Sequence, residues 1–146
     1  MDNIVINEHE VAKILRETNT NKSVGPDGLH PRMLVELSDQ LAGPVTLLFN
    51  KTLMYGTLPK EWKQGYISPI FKKGKRSLAC NYRPISLTCI LCKILESLVR
   101  KAVIIHLADN NLLSNKQFGF MNGRSTTLQL MHFWTHVPNQ LHKGEL

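Results

Sequence analysis

The chain has 146 residues, 42% of them hydrophobic, enough for one core and too few for two well-developed domains. No run approaches the roughly 18 apolar residues a membrane helix needs, and MDNIVINEHEVAK lacks the regions of a signal peptide, so an intracellular soluble protein is expected. The formal charge of +7 sits in one window: seven basic residues and no Asp or Glu lie between Trp62 and Leu95, which favours polyanionic partners over a charge that merely aids solubility.

A first helix is predicted over about residues 8 to 18, with Val11, Ile14 and Leu15 on one face and Asn7 and Glu10 spaced as a capping box. The polar run TNTNKS reads as a linker. In VGPDGLHP, Gly25-Pro26-Asp27-Gly28 has turn chemistry and Pro31 suits the first turn of a new helix. Leu34, Leu37 and Leu41 repeat at helical spacing. Gly43-Pro44 is expected to end that helix and begin another, with Leu48, Phe49 and either Leu53 or Thr52 inward and Gly56 closing it.

GYISPIFKK and NYRPISLT, rich in β-branched and aromatic residues, predict two strands joined by a basic, glycine-containing loop. Pro69 and Pro84 lack the amide hydrogen a ladder needs, so each should lie at an edge, an end or a bulge. From about Cys89 to Ala108, the positions Ile90, Ile94, Leu98, Ala102 and Ile105 predict the longest helix, ended by Asn110-Asn111. A last helix is expected from Ser125 as cap to His136, stopped by Pro138.

Several chemistries lack their residues. The odd count of three cysteines argues against a disulfide framework. Cys89-Ile-Leu-Cys92 with His106 has no fourth zinc ligand and lies on an apolar helix, where cysteine behaves as a small hydrophobe. His132 and His136 are four apart, but Phe133 stands where a zinc protease carries its Glu. Ser86 and Ser125 lack nucleophile-elbow glycines. GFMNGRST could present backbone amides to a phosphate but is no Walker loop. The acids Asp27, Asp39, Glu61, Glu96, Asp109 and Glu145 are singletons, with no pair suited to two-metal phosphoryl transfer.

Four segments in order, NKSVGPDGLHPRML, LPKEWKQGYISPIFKKGK, NYRPISLTCILCKILE and LLSNKQFGFMNGRSTTLQL, resemble the amino-terminal part of the reverse transcriptase domain of non-LTR (LINE-type) retrotransposons, over about residues 20 to 131. The resemblance implies an α+β, helix-rich partial right-hand polymerase fold, with fingers and the beginning of the palm, and a short irregular antiparallel strand pair. It implies residues 1–24 as a leader helix and linker and 25–146 as the partial domain. It places Lys72, Lys73 and Arg83 on fingers strands and a loop facing template and nucleoside triphosphate, and Gln117, Phe118, Gly119, Gly123, Arg124 and Ser125 in the segment seating template and nucleotide. Met121 departs from the family, which usually carries a basic residue after QFGF.

The implied partners are an RNA template, a DNA primer, a nucleoside triphosphate and the remaining palm and thumb, with no membrane. The sequence ends about where the family continues toward its first catalytic aspartate, so a truncated enzyme is expected, inactive alone, with magnesium required only by a complete enzyme. A free-standing nucleic-acid-binding module and a non-functional remnant are the alternative expectations.

Overall fold

The structure, a computed structural model, describes residues 3–114, 116–119, 121 and 123–143, with side chains through residue 135. It contains five α-helices and one antiparallel strand pair among the described residues: α1 (Glu8–Arg16), α2 (Pro31–Glu36), α3 (Ser38–Tyr55), β1 (Tyr66–Phe71), β2 (Tyr82–Leu87), α4 (Ile90–Asp109) and α5 (Thr126–Lys143). It divides into two compact units, Met1–Val103 and Ile104–Leu146, the division falling within α4. This is the expected α+β composition.

Asn7 caps α1, accepting a hydrogen bond from the His9 amide at 2.8 Å through Oδ1. The other half of the expected capping box does not form, because the Glu10 carboxylate pairs with Lys101 of α4 instead. Val11 and Leu15 are fully buried against α3, and Phe49 meets Trp62 edge to face at 5.8 Å between ring centroids. Asn50 of α3 accepts from the Ile6 amide at 2.9 Å and donates to its carbonyl at 3.0 Å, holding the segment before α1 in place. Leu34, Val45 and the α4 side chains Ile90, Ile94, Leu95 and Leu98 complete this core.

The Gly25–Gly28 turn closes with Gly28 N–H on the Gly25 carbonyl at 3.1 Å. Gly25 itself is required by contact: a Cβ there would lie 2.6 Å from Cys89 Cα, a backbone approach that only glycine allows. Pro31 opens α2 as expected, after a His30 cap whose Nδ1 accepts from Arg32 N–H at 3.1 Å.

Three further expectations fail. The helix break falls at Leu37, not at Gly43-Pro44, and α3 runs through Pro44. A proline removes only its own bond to the carbonyl four residues back, and the remaining ladder plus a buried face carries the helix across it. Gly43 faces α1, and a Cβ there would lie 3.3 Å from a carboxylate oxygen of the exposed Glu8 side chain, which has room to yield. Pro138 likewise does not stop α5, which continues to Lys143. Third, Leu48 and Ile105 are exposed; Phe49 and Thr52 take the inward positions of α3, with Leu53 partly buried. Gly56 does close α3, in the left-handed region at φ 63°.

In the strand pair, Pro69 lies opposite Pro84. Lys72 N–H donates to the Asn81 carbonyl at 2.8 Å, and stepping back by two residues makes Ile70/Arg83 and Ser68/Ile85 the hydrogen-bonded pairs. Both prolines therefore fall in a non-hydrogen-bonded pair, where a missing amide hydrogen costs the ladder nothing. Asn111, at φ 54°, follows the end of α4, and Ser125 Oγ caps α5 by accepting from Leu128 N–H at 3.2 Å. No described helix is long and apolar enough to cross a membrane.

Candidate nucleic-acid interface

The expected site residues fall in both units, and each group is described by itself. The first is the hairpin. Every residue from 71 to 80 is exposed, so Lys72, Lys73, Lys75 and Arg76 carry their charge into solvent. Their loop is nevertheless held by specific bonds. Asn81 Nδ2 donates to the Lys75 carbonyl at 2.8 Å, and the Tyr82 hydroxyl donates to the Arg76 carbonyl at 2.9 Å. Gly74 sits at φ 90°, where an added Cβ would lie 2.7 Å from Asn81 Nδ2; the tight turn expected of this glycine is thus required twice.

The register sorts the hairpin into two faces. Tyr66, Ser68, Ile70 and Lys72 share one side of the pleat with Asn81, Arg83, Ile85 and Leu87, which makes Lys72 and Arg83 diagonal neighbours. Two cations there can address neighbouring phosphates, Arg83 with a bidentate fork and Lys72 as a point charge. The other side holds Ile67, Pro69 and Phe71 opposite Ser86, Pro84 and Tyr82. Phe71 meets Tyr82 at 5.5 Å between centroids, and the Arg76 guanidinium lies 5.3 Å over the Phe71 ring. Asn81 and Tyr82 escaped the sequence reading as organisers of the loop. Their signal was an amide and an aromatic residue closing a cationic, glycine-containing turn.

The second group lies before and at the start of α5. The Arg124 guanidinium donates to the Gln117 carbonyl and stacks 5.3 Å from the Phe118 ring centroid; Phe118 in turn lies 5.8 Å from the His132 ring. Together with Leu128, Met131 and Thr135 these side chains line a cleft of about 470 Å³. Gln117, Phe118, Arg124 and the Ser125 cap are thus close together in the structure. Gly123 takes a left-handed φ of 74°. Gly119 has no atom within 4 Å of where a Cβ would stand and no left-handed φ, so nothing local demands glycine there. Phe120 and Asn122 of the same motif, the His136 side chain and Glu145 lie outside the described residues.

The cysteine and carboxylate chemistry is different. Cys89 and Cys92 are buried, Cys92 in contact with Glu96 at 3.5 Å, and burial first and that carboxylate second push the Cys92 thiol up to about 11. Burial also raises the Cys89 thiol. Neither is a poised thiolate. No group of three His, Cys, Asp or Glu side chains converges among the described residues.

No protein-family model matches the chain. Individual relatives do. It is 34% identical over 135 residues to the RNA-directed DNA polymerase from mobile element jockey of Drosophila melanogaster, covering 92% of this chain and 14% of that protein. It is 34% identical over 122 residues to the "Probable RNA-directed DNA polymerase from transposon X-element" of the same organism, covering 83% of this chain and 13% of the relative. A third relative, the retrovirus-related Pol polyprotein from type-1 retrotransposable element R1 of Bradysia coprophila, is 31% identical over 119 residues, 80% of this chain and 12% of its own length. The relatives are RNA-directed DNA polymerases and a Pol polyprotein of mobile elements. Over 80–93% of its length the chain is similar to such proteins of non-LTR retrotransposons, and it spans 12–15% of the length of the curated relatives it matches.

Proposed function

We propose that this chain is the fingers and early-palm portion of a non-LTR retrotransposon reverse transcriptase, where it positions the template and the incoming nucleoside triphosphate. The observation that carries the reading is the exposed hairpin with Lys72, Lys73, Lys75, Arg76 and Arg83, in a window without one carboxylate. A polymerase must hold a polyanionic strand and a triphosphate yet release both. Exposed cations with no ion-pair partner among the described residues suit that task, because counterion release supplies affinity without a rigid fit. The loop is fixed by Asn81, Tyr82 and Gly74, so the cations start from a defined arrangement. Phe118, Arg124 and the capped start of α5 supply a second aromatic and cationic surface for a base and its phosphate.

An exchange tests the positioning role. Residues 20–131 would replace the corresponding segment of the jockey polymerase, and primer extension on an RNA template would be followed. The expected result is retained extension, with Arg83→Ala raising the apparent KM for nucleoside triphosphate about tenfold, as loss of a charge-assisted phosphate contact implies. Extension with a KM indifferent to Arg83 would contradict the role.

A further inference from the structure

The hairpin face opposite Lys72 and Arg83 is built differently from the cationic one. Pro69 and Pro84 stand across from each other as its floor, Tyr82 and the Arg76 guanidinium form its walls, and Ser77 and Ala79 close a slot of about 560 Å³. The slot is pre-formed. The Tyr82 ring is fixed by its hydroxyl bond to the Arg76 carbonyl and by its edge contact with Phe71, while Arg76 is held over Phe71. Its floor has no amide hydrogen to offer, so it cannot recruit a further strand through the prolines. What it does offer is flat apolar surface, an aromatic ring and a planar cation, on a loop whose other charges are all positive.

We propose that this slot is a stacking site for an unpaired nucleobase of single-stranded nucleic acid. A base fits the apolar and aromatic surface, and the strand it belongs to is a polyanion drawn by Arg76 at the slot and by the other cations of the same hairpin, Lys72 and Arg83 on its opposite face and Lys73 and Lys75 in its loop. A peptide would satisfy the slot but not the charge, and a blunt duplex the charge but not the slot, since its bases are already stacked. The site rests on the nucleic-acid reading of the hairpin and deepens it. The cationic face holds phosphates, and the proline and tyrosine face distinguishes single strands from duplex.

Binding of the whole chain to a labelled single-stranded oligouridine and to a blunt duplex of equal length, each over a range of salt, tests this. Tyr82→Leu is expected to weaken single-strand binding about tenfold at every salt concentration, leaving the salt slope and duplex binding unchanged, because stacking and not charge is lost. Tyr82→Phe should keep most of the affinity. Ala79→Leu, which fills the slot without touching the tyrosine or any charge, should reproduce the loss even if Tyr82→Leu disturbs the loop. Single-strand binding unaltered in both the leucine variants would overturn the stacking site while leaving the nucleic-acid reading intact. Absence of binding to either oligonucleotide, with or without capture of a proline-rich peptide, would overturn both.

Discussion

Within the first unit, the helical core and the hairpin follow opposite rules. In the core, Val11, Leu15, Leu34 and Phe49 are almost wholly out of solvent, and position is set by contact. In the hairpin neither strand contains a buried residue, and Ile67, Ile70 and Ile85 stay open to solvent beside five cations. Its shape comes from strand pairing, a left-handed glycine and two side-chain bonds to loop carbonyls. An isolated two-stranded ribbon is marginal by itself. The lesson is that the core can tolerate surface change and the hairpin can tolerate loss of charge, each without disturbing the other, so the proposed binding can be altered at the hairpin while the fold is kept.

Breaking the core gives the largest effect. Phe49→Ala should cost about 3–5 kcal/mol, measured by chemical denaturation, because the ring is fully buried against Trp62 and the cavity it leaves cannot collapse completely. Gly25→Ala comes next, at about 1–3 kcal/mol on the same measurement, since the new methyl would meet the Cys89 backbone.

A smaller effect is set by pH. Cys92 ionises near 9.0 when unfolded and near 11 when folded, so the folded chain holds its proton longer. Its contribution to stability is fully present below pH 9 and declines as pH rises from 9 toward 11. Denaturation midpoints across that range should fall, and Cys92→Ala should flatten the fall.

Smaller still is Lys101→Ala, which removes the partly exposed pair with Glu10 and should cost at most about 1 kcal/mol. The comparison is sharpest at the other end of the scale. Lys72→Ala with Arg83→Ala should change stability by no more than about 0.5 kcal/mol, since neither side chain supports the core.

Much of this contrast was legible in the sequence where one residue type has one local use. The Asn7 cap, the Gly-Pro-Asp-Gly turn, Pro31 at a helix start, Gly56 at a helix end and the two strands around a basic loop all depend on near neighbours. The misreadings have one cause. Gly43-Pro44 and Pro138 are breakers by local rule, yet α3 and α5 run through them; in α3 the buried face of Ala42, Val45 and Phe49 spans the proline, and that is a tertiary fact. Burial at Leu48 and Ile105 failed likewise, because helical spacing marks a face but not which of its residues a neighbour covers. At the candidate site, charge marked the basic window from Lys63 to Lys93, and the resemblance to non-LTR reverse transcriptases singled out Lys72, Lys73 and Arg83 within it. Asn81, Tyr82 and the proline slot emerge only once the register places 69 opposite 84.

The central claim is that the hairpin cations bind nucleic acid. It is tested most directly by the dissociation constant of the chain for a primed RNA template as a function of salt, for the unaltered protein and the Lys72→Ala/Arg83→Ala variant. The account predicts affinity that falls steeply with salt, and a variant slope shallower by about two phosphate contacts with the fold intact. Binding that ignores salt, or a slope the double substitution leaves unchanged, would contradict it.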